Sequence, residues 1–183
     1  ARAARPNESV RLLLVGGINK SKGATLAADI AAAGESVGVE LEILGKVEPG
    51  FEHVAHCHGE YQRDEVLARL ATIRPTFIGL FSLWPETHCY VLSEAWAAGI
   101  PVIAGPLGAP AERVHEHGGG IVVDELDPEL IVHTAATYGR DQLAYADLAR
   151  TATLANVRGR AAMAADWLAL YDDLRRDVAG WTR

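Results

Sequence analysis

Two glutamates, Glu86 and Glu94, are separated by seven residues and lie on either side of a predicted helix start. An apolar run ends at Leu83 and Pro85 interrupts it, whereas residues 89–98 contain no Gly or Pro and are predicted to be helical. One carboxylate would therefore lie in the loop and the other about one and a half turns into the helix. Helix N-terminal N–H groups attract phosphate and carboxylates accept hydrogen bonds from hydroxyls, so this arrangement suits a phosphorylated sugar.

Two predicted strands position this helix. Residues 76–83 form a strand that leads into the Glu86 loop, Gly99 ends the helix, and residues 100–104 form a short buried strand. In such strand–loop–helix–strand units, ligands commonly bind at the carboxyl ends of the strands, in front of the following helix.

A second unit of the same kind opens the chain. Residues 10–16 are predicted to be a buried strand, which ends in Gly16-Gly17, and residues 22–33 an alanine-rich helix. The loop GGINKSKG matches neither a P-loop nor a dinucleotide-binding fingerprint. Lys22 lies near a helix start, where the dipole disfavours a cation, and this favours a functional role for Lys22 over a solvated surface lysine.

The remaining pattern alternates strands with helices, which predicts an α/β fold with a doubly wound, Rossmann-like parallel sheet and C-terminal helices. The amphipathic helix 63–73 is predicted to turn Val66, Leu67 and Leu70 inward. The further predicted elements are strands at 41–46, 54–57 and 121–123, a helix capped by Asp127 with Pro128 in its first turn, and a long helix at 159–178. The apolar stripe of that last helix, predicted to be core or interface, comprises Met163, Trp167, Leu170, Tyr171, Leu174 and Val178.

Residues 81–112 resemble the donor-binding, C-terminal half of retaining glycosyltransferases of the GT-B fold, of the Glu-x7-Glu (group 1, family 4-like) type. Three linked motifs carry the resemblance: the glutamate pair, the run 99–102 (Gly-Ile-Pro-Val), and the run 108–112 (Gly-Ala-Pro-Ala-Glu). Motifs extend the resemblance over residues 11–123, and the rest is similar in architecture only.

The resemblance implies roles for individual residues. Glu94 would hold the ribose, Lys22 and the backbone around Cys89 the diphosphate, and Glu86, the candidate catalytic residue, the sugar or its leaving-group side. Tyr61 either covers the nucleotide base or closes the edge of the core. The candidate donor-binding residues are Gly16, Gly17, Lys22, Tyr61, His88, Cys89, Tyr90, Val91 and Glu94.

The chain departs from the family pattern in both loops. Gly17 stands where the family has an arginine, and we hypothesise that Lys20 or Asn19 compensates. The run 86–89 is Glu-Thr-His-Cys where the family usually has Glu-Gly-Phe-Gly. Because glycine lets backbone approach phosphate and sugar closely, the bulkier loop indicates a sub-branch with an altered donor or donor angle.

The resemblance implies a transferase that moves a hexose-like sugar from a nucleotide-diphosphate sugar to an acceptor, in bacterial polysaccharide or O-antigen-type synthesis. Transfer would need an N-terminal acceptor-binding domain, so the chain is expected to be incomplete as an enzyme. A non-catalytic glycosyltransferase-like binding module in a polysaccharide-synthesis protein is the alternative, and an epimerase or phosphorylase of the same fold is a third. No cofactor or metal is expected, because the helix dipole and lysine neutralise the diphosphate.

Other chemistry has less support. Cys89 beside His88 at a helix start resembles an activated nucleophile, but no third orienting group accompanies it. The alternating His53, His56 and His58 could mimic a metal site but lack a carboxylate pattern, which favours a solvated or ligand-facing edge. Trp84 and Trp96 are predicted to be packing groups.

Length and composition limit the number of domains and the class of protein. The 183 residues, 49% hydrophobic, suffice for one domain at residues 9–183, preceded by a disordered or linker tail at residues 1–8. The net charge of -7 argues against a nucleic-acid surface. The two cysteines form no disulfide framework, and no run is long enough to span a bilayer. The expected location is the cytoplasm, or the inner face of a membrane through the rest of the protein.

Overall fold

A six-stranded parallel β-sheet organises the protein. The computed structural model describes residues 2–155 and 159–181, without the side chains of Ser21, Arg160 and residues 177–181. The strands are β1 (Val10–Val15), β2 (Val39–Leu44), β3 (His56–Cys57), β4 (Phe77–Leu80), β5 (Val102–Ala104) and β6 (Gly120–Val122). The helices are α1 (Ala24–Val37), α2 (Val66–Ile73), α3 (Tyr90–Ala97), α4 (Gly108–His117), α5 (Pro128–Arg140), α6 (Gln142–Leu154) and α7 (Arg160–Trp181).

The strand order is β3-β2-β1-β4-β5-β6, with every pairing parallel. This is the order of the Rossmann fold, and the connections reverse direction between β1 and β4. The predicted fold class is confirmed. Because β1 and β4 are neighbours, the loops that follow them, residues 16–23 and 81–89, lie side by side at the carboxyl edge of the sheet.

The sheet is buried on both faces. Along β1, Val10, Leu12 and Leu14 pack into one hydrophobic cluster with α1 and α5, while Leu13 and Val15 pack into the other with α2 and α3. This alternation follows from the two-residue period of a strand. Because the sheet is packed on both faces, the loops that follow β1 and β4 start from fixed strand ends.

The start of α1 differs from the prediction, which placed it at Lys22. Residues 20–22 form a 3-10 turn, whose N-terminal cap is the Asn19 side chain, accepting from Lys22 N at 2.9 Å. Gly23, at φ +81°, separates this turn from α1. The local side-chain cap and the left-handed glycine override the helical pattern.

The inward stripe of α2 was predicted incorrectly at one position. Val66, Leu70 and Ile73 are buried, whereas Leu67 is 47% exposed. Residues 63–65 form a 3-10 turn, so the α-helix starts at Val66 and its i, i+4 and i+7 positions face the sheet.

The first described residues, in the segment predicted to be a disordered or linker tail, pack on the domain. Ala3 and Ala4 are buried, and Ala4 N donates to the Gly139 carbonyl at 2.9 Å. Arg2 and Glu8 form an ion pair at 2.7 Å. Small apolar side chains and a satisfied backbone let this polar-looking segment lie against α5.

The C-terminal helices include the predicted Asp127 cap, whose side chain accepts from Leu130 N at 2.8 Å. Helix α6, which was not predicted, starts at a second such cap, Asp141. In α7, the stripe predicted to be core or interface is exposed from Met163 to Leu174, and the side chain of Val178 lies outside the described residues. None of the helices in residues 2–155 and 159–181 is long and apolar enough to cross a lipid bilayer.

Candidate functional site

The loop after β1 is built by close backbone contacts with the neighbouring strand. Gly16 N donates to the Leu44 carbonyl at 2.9 Å, and Ile18 N donates to the Lys46 carbonyl at 2.8 Å. A Cβ on Gly45 would lie 2.1 Å from the Gly16 carbonyl oxygen, so only glycine fits there. These contacts extend the parallel pairing past the strand ends and fix the path of the Gly16-Gly17 segment.

The loop after β4 presents Glu86. The Ser82 hydroxyl donates to Glu86 Oε1. The Glu86 carbonyl accepts from Ala109 N at 2.8 Å, which ties this loop to the start of α4. The carboxylate is therefore oriented by its own loop, and the backbone that carries it is supported by α4.

The start of α3 is held by Arg113 of α4. Its guanidinium donates to the Cys89 carbonyl at 3.2 Å and to the Ser93 hydroxyl at 3.0 Å, and lies 5.1 Å from the ring centroid of Trp96. Trp96 is buried, as predicted for a packing group. Arg113 was not predicted as part of the site, because nothing in the local sequence indicates which helix α4 supports.

All ten predicted site residues line two adjoining cavities at this edge. The first cavity, about 450 Å³, is lined by Lys22, Glu86, His88, Cys89, Tyr90 and Val91. The second cavity, about 410 Å³, is lined by Gly16, Gly17, Tyr61, Glu94 and again Tyr90 and Val91. Since Tyr90 and Val91 border both, the two cavities form one cleft across the N-terminus of α3.

Sequence reasoning missed several residues of the cleft. Trp84, predicted to be a packing group, is 46% exposed and lines the first cavity. Lys46, Glu60 and Arg63 line the second. Their position depends on which loops the sheet topology brings together, so no short motif marks them.

In the second cavity, burial and Arg63 have opposite effects on the pKa of two side chains. Burial raises the pKa of Glu94, and the nearby Arg63 partly opposes this. The pKa of Tyr61 is also raised, by burial and by Glu94, again against Arg63. Glu94 is thus a partly desolvated carboxylate, suited to accept hydrogen bonds from ligand hydroxyls.

Cys89 has the properties of a packing residue. Its side chain is buried, and burial, with a smaller effect of Glu86, raises the pKa of the thiol to about 11. A thiol of this kind is protonated near neutral pH and is a poor nucleophile. The cysteine-nucleophile hypothesis therefore loses support. Cys89 has an extended backbone and is the N-terminal cap residue of α3.

His58 differs from the predicted solvated or ligand-facing position. Its Nε2 lies 2.5 Å from an oxygen of buried Glu42, which also binds Arg11 at 2.5 and 2.8 Å. Burial opposes the charged form of Glu42, but these hydrogen bonds outweigh it and lower the pKa of Glu42. Within residues 2–155 and 159–181, no group of three His, Cys, Asp or Glu side chains could hold a metal ion.

The two residues proposed to replace the family arginine lie elsewhere. Lys20 donates its backbone N–H to Glu48 at 2.7 Å, and Asn19 caps the 3-10 turn. Neither is among the residues that line the two cavities.

The fold is similar to several solved structures. Sucrose-phosphate synthase from Thermosynechococcus elongatus matches with a TM-score of 0.72 and 20% identity over 94% of this chain and 47% of that one. HepE of Anabaena, in complex with UDP and glucose, matches with a TM-score of 0.66 and 18% identity over 80% of this chain and 43% of that one. The C-terminal domain of a glycosyl transferase group 1 family protein, LpcC of Francisella tularensis, matches with a TM-score of 0.58 and 17% identity over 79% and 83%.

These likenesses show the fold. The chain spans less than half the length of the first two structures. No protein-family model matches the sequence, and no curated protein matches it.

Proposed function

We propose that the chain is the donor-binding domain of a retaining glycosyltransferase, and that it binds a nucleotide-diphosphate sugar across the two cavities. One observation carries the proposal: the ten predicted site residues, from three separate stretches of the sequence, line one cleft at the point where the strand connections reverse direction. Ligands of such folds bind at this place. Among structures of similar fold, HepE binds UDP and glucose.

The cavities divide the ligand between them. In the second cavity, Glu94 binds the ribose hydroxyls and Tyr61 lies on the side of the base. The diphosphate crosses the N-terminus of α3, where the N–H groups of Tyr90 and Val91 have no helical partner and Lys22 supplies positive charge. The sugar occupies the first cavity, beside Glu86 and the exposed face of Trp84.

Glu86 is the residue proposed to act on the transferred sugar. Its carboxylate is half-buried and accepts from Ser82, so it faces the cavity from a fixed direction. Such a group binds a sugar hydroxyl or stabilises positive charge at the reacting carbon. Chemistry also requires an acceptor, which an N-terminal domain would bind and enclose, so transfer belongs to the longer protein.

The wider setting is part of the same proposal. The transferred unit is a hexose-like sugar, the product a bacterial polysaccharide or O-antigen-type glycan, and the location the cytoplasm or the inner membrane face. Lys22 and the helix N-terminus take the place of a divalent cation, and no cofactor is used.

Calorimetric titration with UDP, GDP and dTDP in excess EDTA tests the donor site. We expect saturable binding of one of them, weakened at least about tenfold in Lys22→Ala and in Glu94→Ala. Lys20→Ala is the matched control, since it removes a lysine of the same loop that lines neither cavity. Absence of binding by all three nucleotides, or an equal loss in the control, would contradict the proposal.

A non-catalytic binding module remains the second candidate, favoured by Gly17 and by the loss of both loop glycines at positions 87 and 89. The longer protein discriminates the two. Sugar transfer or slow donor hydrolysis that Glu86→Gln abolishes supports the enzyme, whereas binding without either reaction supports the module.

A further inference from the structure

Arg63, which was not predicted as a site residue, is a cation that lines the second cavity of the cleft. Gly17 stands where the resembling family has an arginine, so the loop after β1 lacks that positive charge. Lys20 and Asn19 were predicted to compensate for the arginine that is absent at position 17. Neither residue lines either cavity. Arg63, from the segment after β3, lines the second cavity instead.

Arg63 is held by local structure. It is the first residue of the 3-10 turn 63–65, which a reciprocal pair of hydrogen bonds between Gln62 and Glu65 stabilises. Its side chain is consequently presented from a fixed turn rather than from a loose loop.

The guanidinium of Arg63 stacks on Tyr90. Its Cζ lies 4.3 Å from the ring centroid, and the ring of His88 makes an edge contact with Tyr90, at 4.7 Å between centroids. Tyr90 is 60% exposed and borders both cavities. The stack places a flat cation beside the N-terminus of α3, on the side of the cleft that Glu94 lines.

The charge of Arg63 acts on the cavity. It opposes the effect of burial on the pKa of both Glu94 and Tyr61. Lys46 also lines this cavity but is not among the groups that shift the pKa of Glu94 or Tyr61.

We infer that Arg63 is a diphosphate-binding residue, which supplies from the β3–α2 connection the cation that Gly17 leaves out of the β1 loop. The inference rests on the proposed function. A guanidinium can donate two parallel hydrogen bonds to phosphate oxygens, and stacking on Tyr90 leaves its N–H edge free for them. Lys22 and Arg63 then hold the diphosphate from opposite ends of the cleft.

The test compares ligands that differ only in phosphate number. Arg63→Gln is titrated with whichever of UDP, GDP and dTDP binds the wild-type chain, and with the matching nucleoside monophosphate and nucleoside. We expect about tenfold or greater loss for the diphosphate, a smaller loss for the monophosphate, and nucleoside affinity within about twofold of wild type. Arg63→Lys retains the charge without the fork, so its affinity for the diphosphate should be intermediate. Arg150→Ala, at an exposed position of α6, is the control for net charge.

A rescue variant makes the test stricter. A Cβ at Gly17 meets no atom within 4 Å, so the backbone at this position accepts a side chain, and Gly17→Arg restores the missing cation. In the Arg63→Gln background it should restore most of the affinity for the diphosphate.

Three results would overturn the inference alone, with the donor site intact: unchanged affinity in Arg63→Gln, an equal loss for nucleoside and diphosphate, or a phosphate-dependent loss in Lys46→Ala that Arg63→Gln lacks. Absence of nucleotide binding by the wild-type chain would instead overturn the proposed function, and the inference with it.

Discussion

The backbone of Gly108 lies directly against the backbone of Glu86. A Cβ at Gly108 would be 2.6 Å from Glu86 N and 2.7 Å from Glu86 O, and Gly108 has φ +70°. The next residue, Ala109, donates its N–H to the Glu86 carbonyl at 2.8 Å. The start of α4 thus sets the position of the loop that presents the candidate catalytic carboxylate.

This contact predicts that Gly108→Ala destabilises the protein by about 2–4 kcal/mol, from backbone overlap and left-handed strain together. Gly50→Ala is the matched control, because Gly50 also has a positive φ, of +96°, but an added Cβ meets nothing within 4 Å. Its cost should be only about 1–2 kcal/mol, from conformation alone. Urea unfolding measures both. Equal losses in the two variants would show that the contact with Glu86 carries no energy.

Glu94 predicts a pH-dependent stability. Burial raises its pKa in the folded state above the ordinary value, so the folded chain retains a proton that the unfolded chain has released. The free energy of unfolding therefore falls as pH rises through the window between the two pKa values, and the penalty persists at neutral pH. Glu94→Gln removes it and should be more stable than wild type at about pH 7, with the difference shrinking towards about pH 4.

Urea unfolding at the two pH values measures this effect, with Glu35→Gln on the exposed side of α1 as the control. The same Glu94→Gln protein should bind nucleoside diphosphate less tightly, because the carboxylate that destabilises the fold is the group proposed to bind the ribose hydroxyls. A variant that is less stable than wild type at neutral pH would contradict the assignment of Glu94 as a desolvated carboxylate.

The thiols should differ in reactivity. Cys89 is buried with a pKa of about 11, whereas Cys57 is half-buried at the edge strand. Iodoacetamide at about pH 7.5 should modify Cys57 first and Cys89 only on unfolding, as followed by peptide mass spectrometry. Cys57→Ser isolates the Cys89 signal. Rapid alkylation of Cys89 in the native chain would revive the nucleophile hypothesis.

The fold and the core of the site could be predicted because their signals are local. Buried β-branched strands, Gly99 and the Asp127 cap mark their elements within a few residues, and the spacing from Glu86 to Glu94 is fixed by one loop and one helix. All ten candidate site residues line the cleft.

The rest depends on contacts between distant segments. Arg113 supports α3 from α4, and Arg63 contacts Tyr90 from the segment between β3 and α2. Leu67 was predicted incorrectly because an apolar pattern indicates a face without showing what covers it. The Asn19 cap was missed because competition between a side-chain cap and a helix start is decided by the surrounding loop.

The central claim is that one nucleotide-diphosphate sugar occupies both cavities, and amide chemical-shift mapping tests it most directly. The ¹⁵N-labelled chain is titrated with the nucleoside diphosphate that binds. The amide signals of Gly16, Gly17 and Glu94 in the second cavity should shift, and so should those of Lys22, Tyr90 and Val91 at the first. The amide signal of Glu86 should shift further when the nucleotide sugar is used. Shifts centred on Ser9 and Arg74, at the opposite edge of the sheet, or confined to one cavity, would contradict the claim.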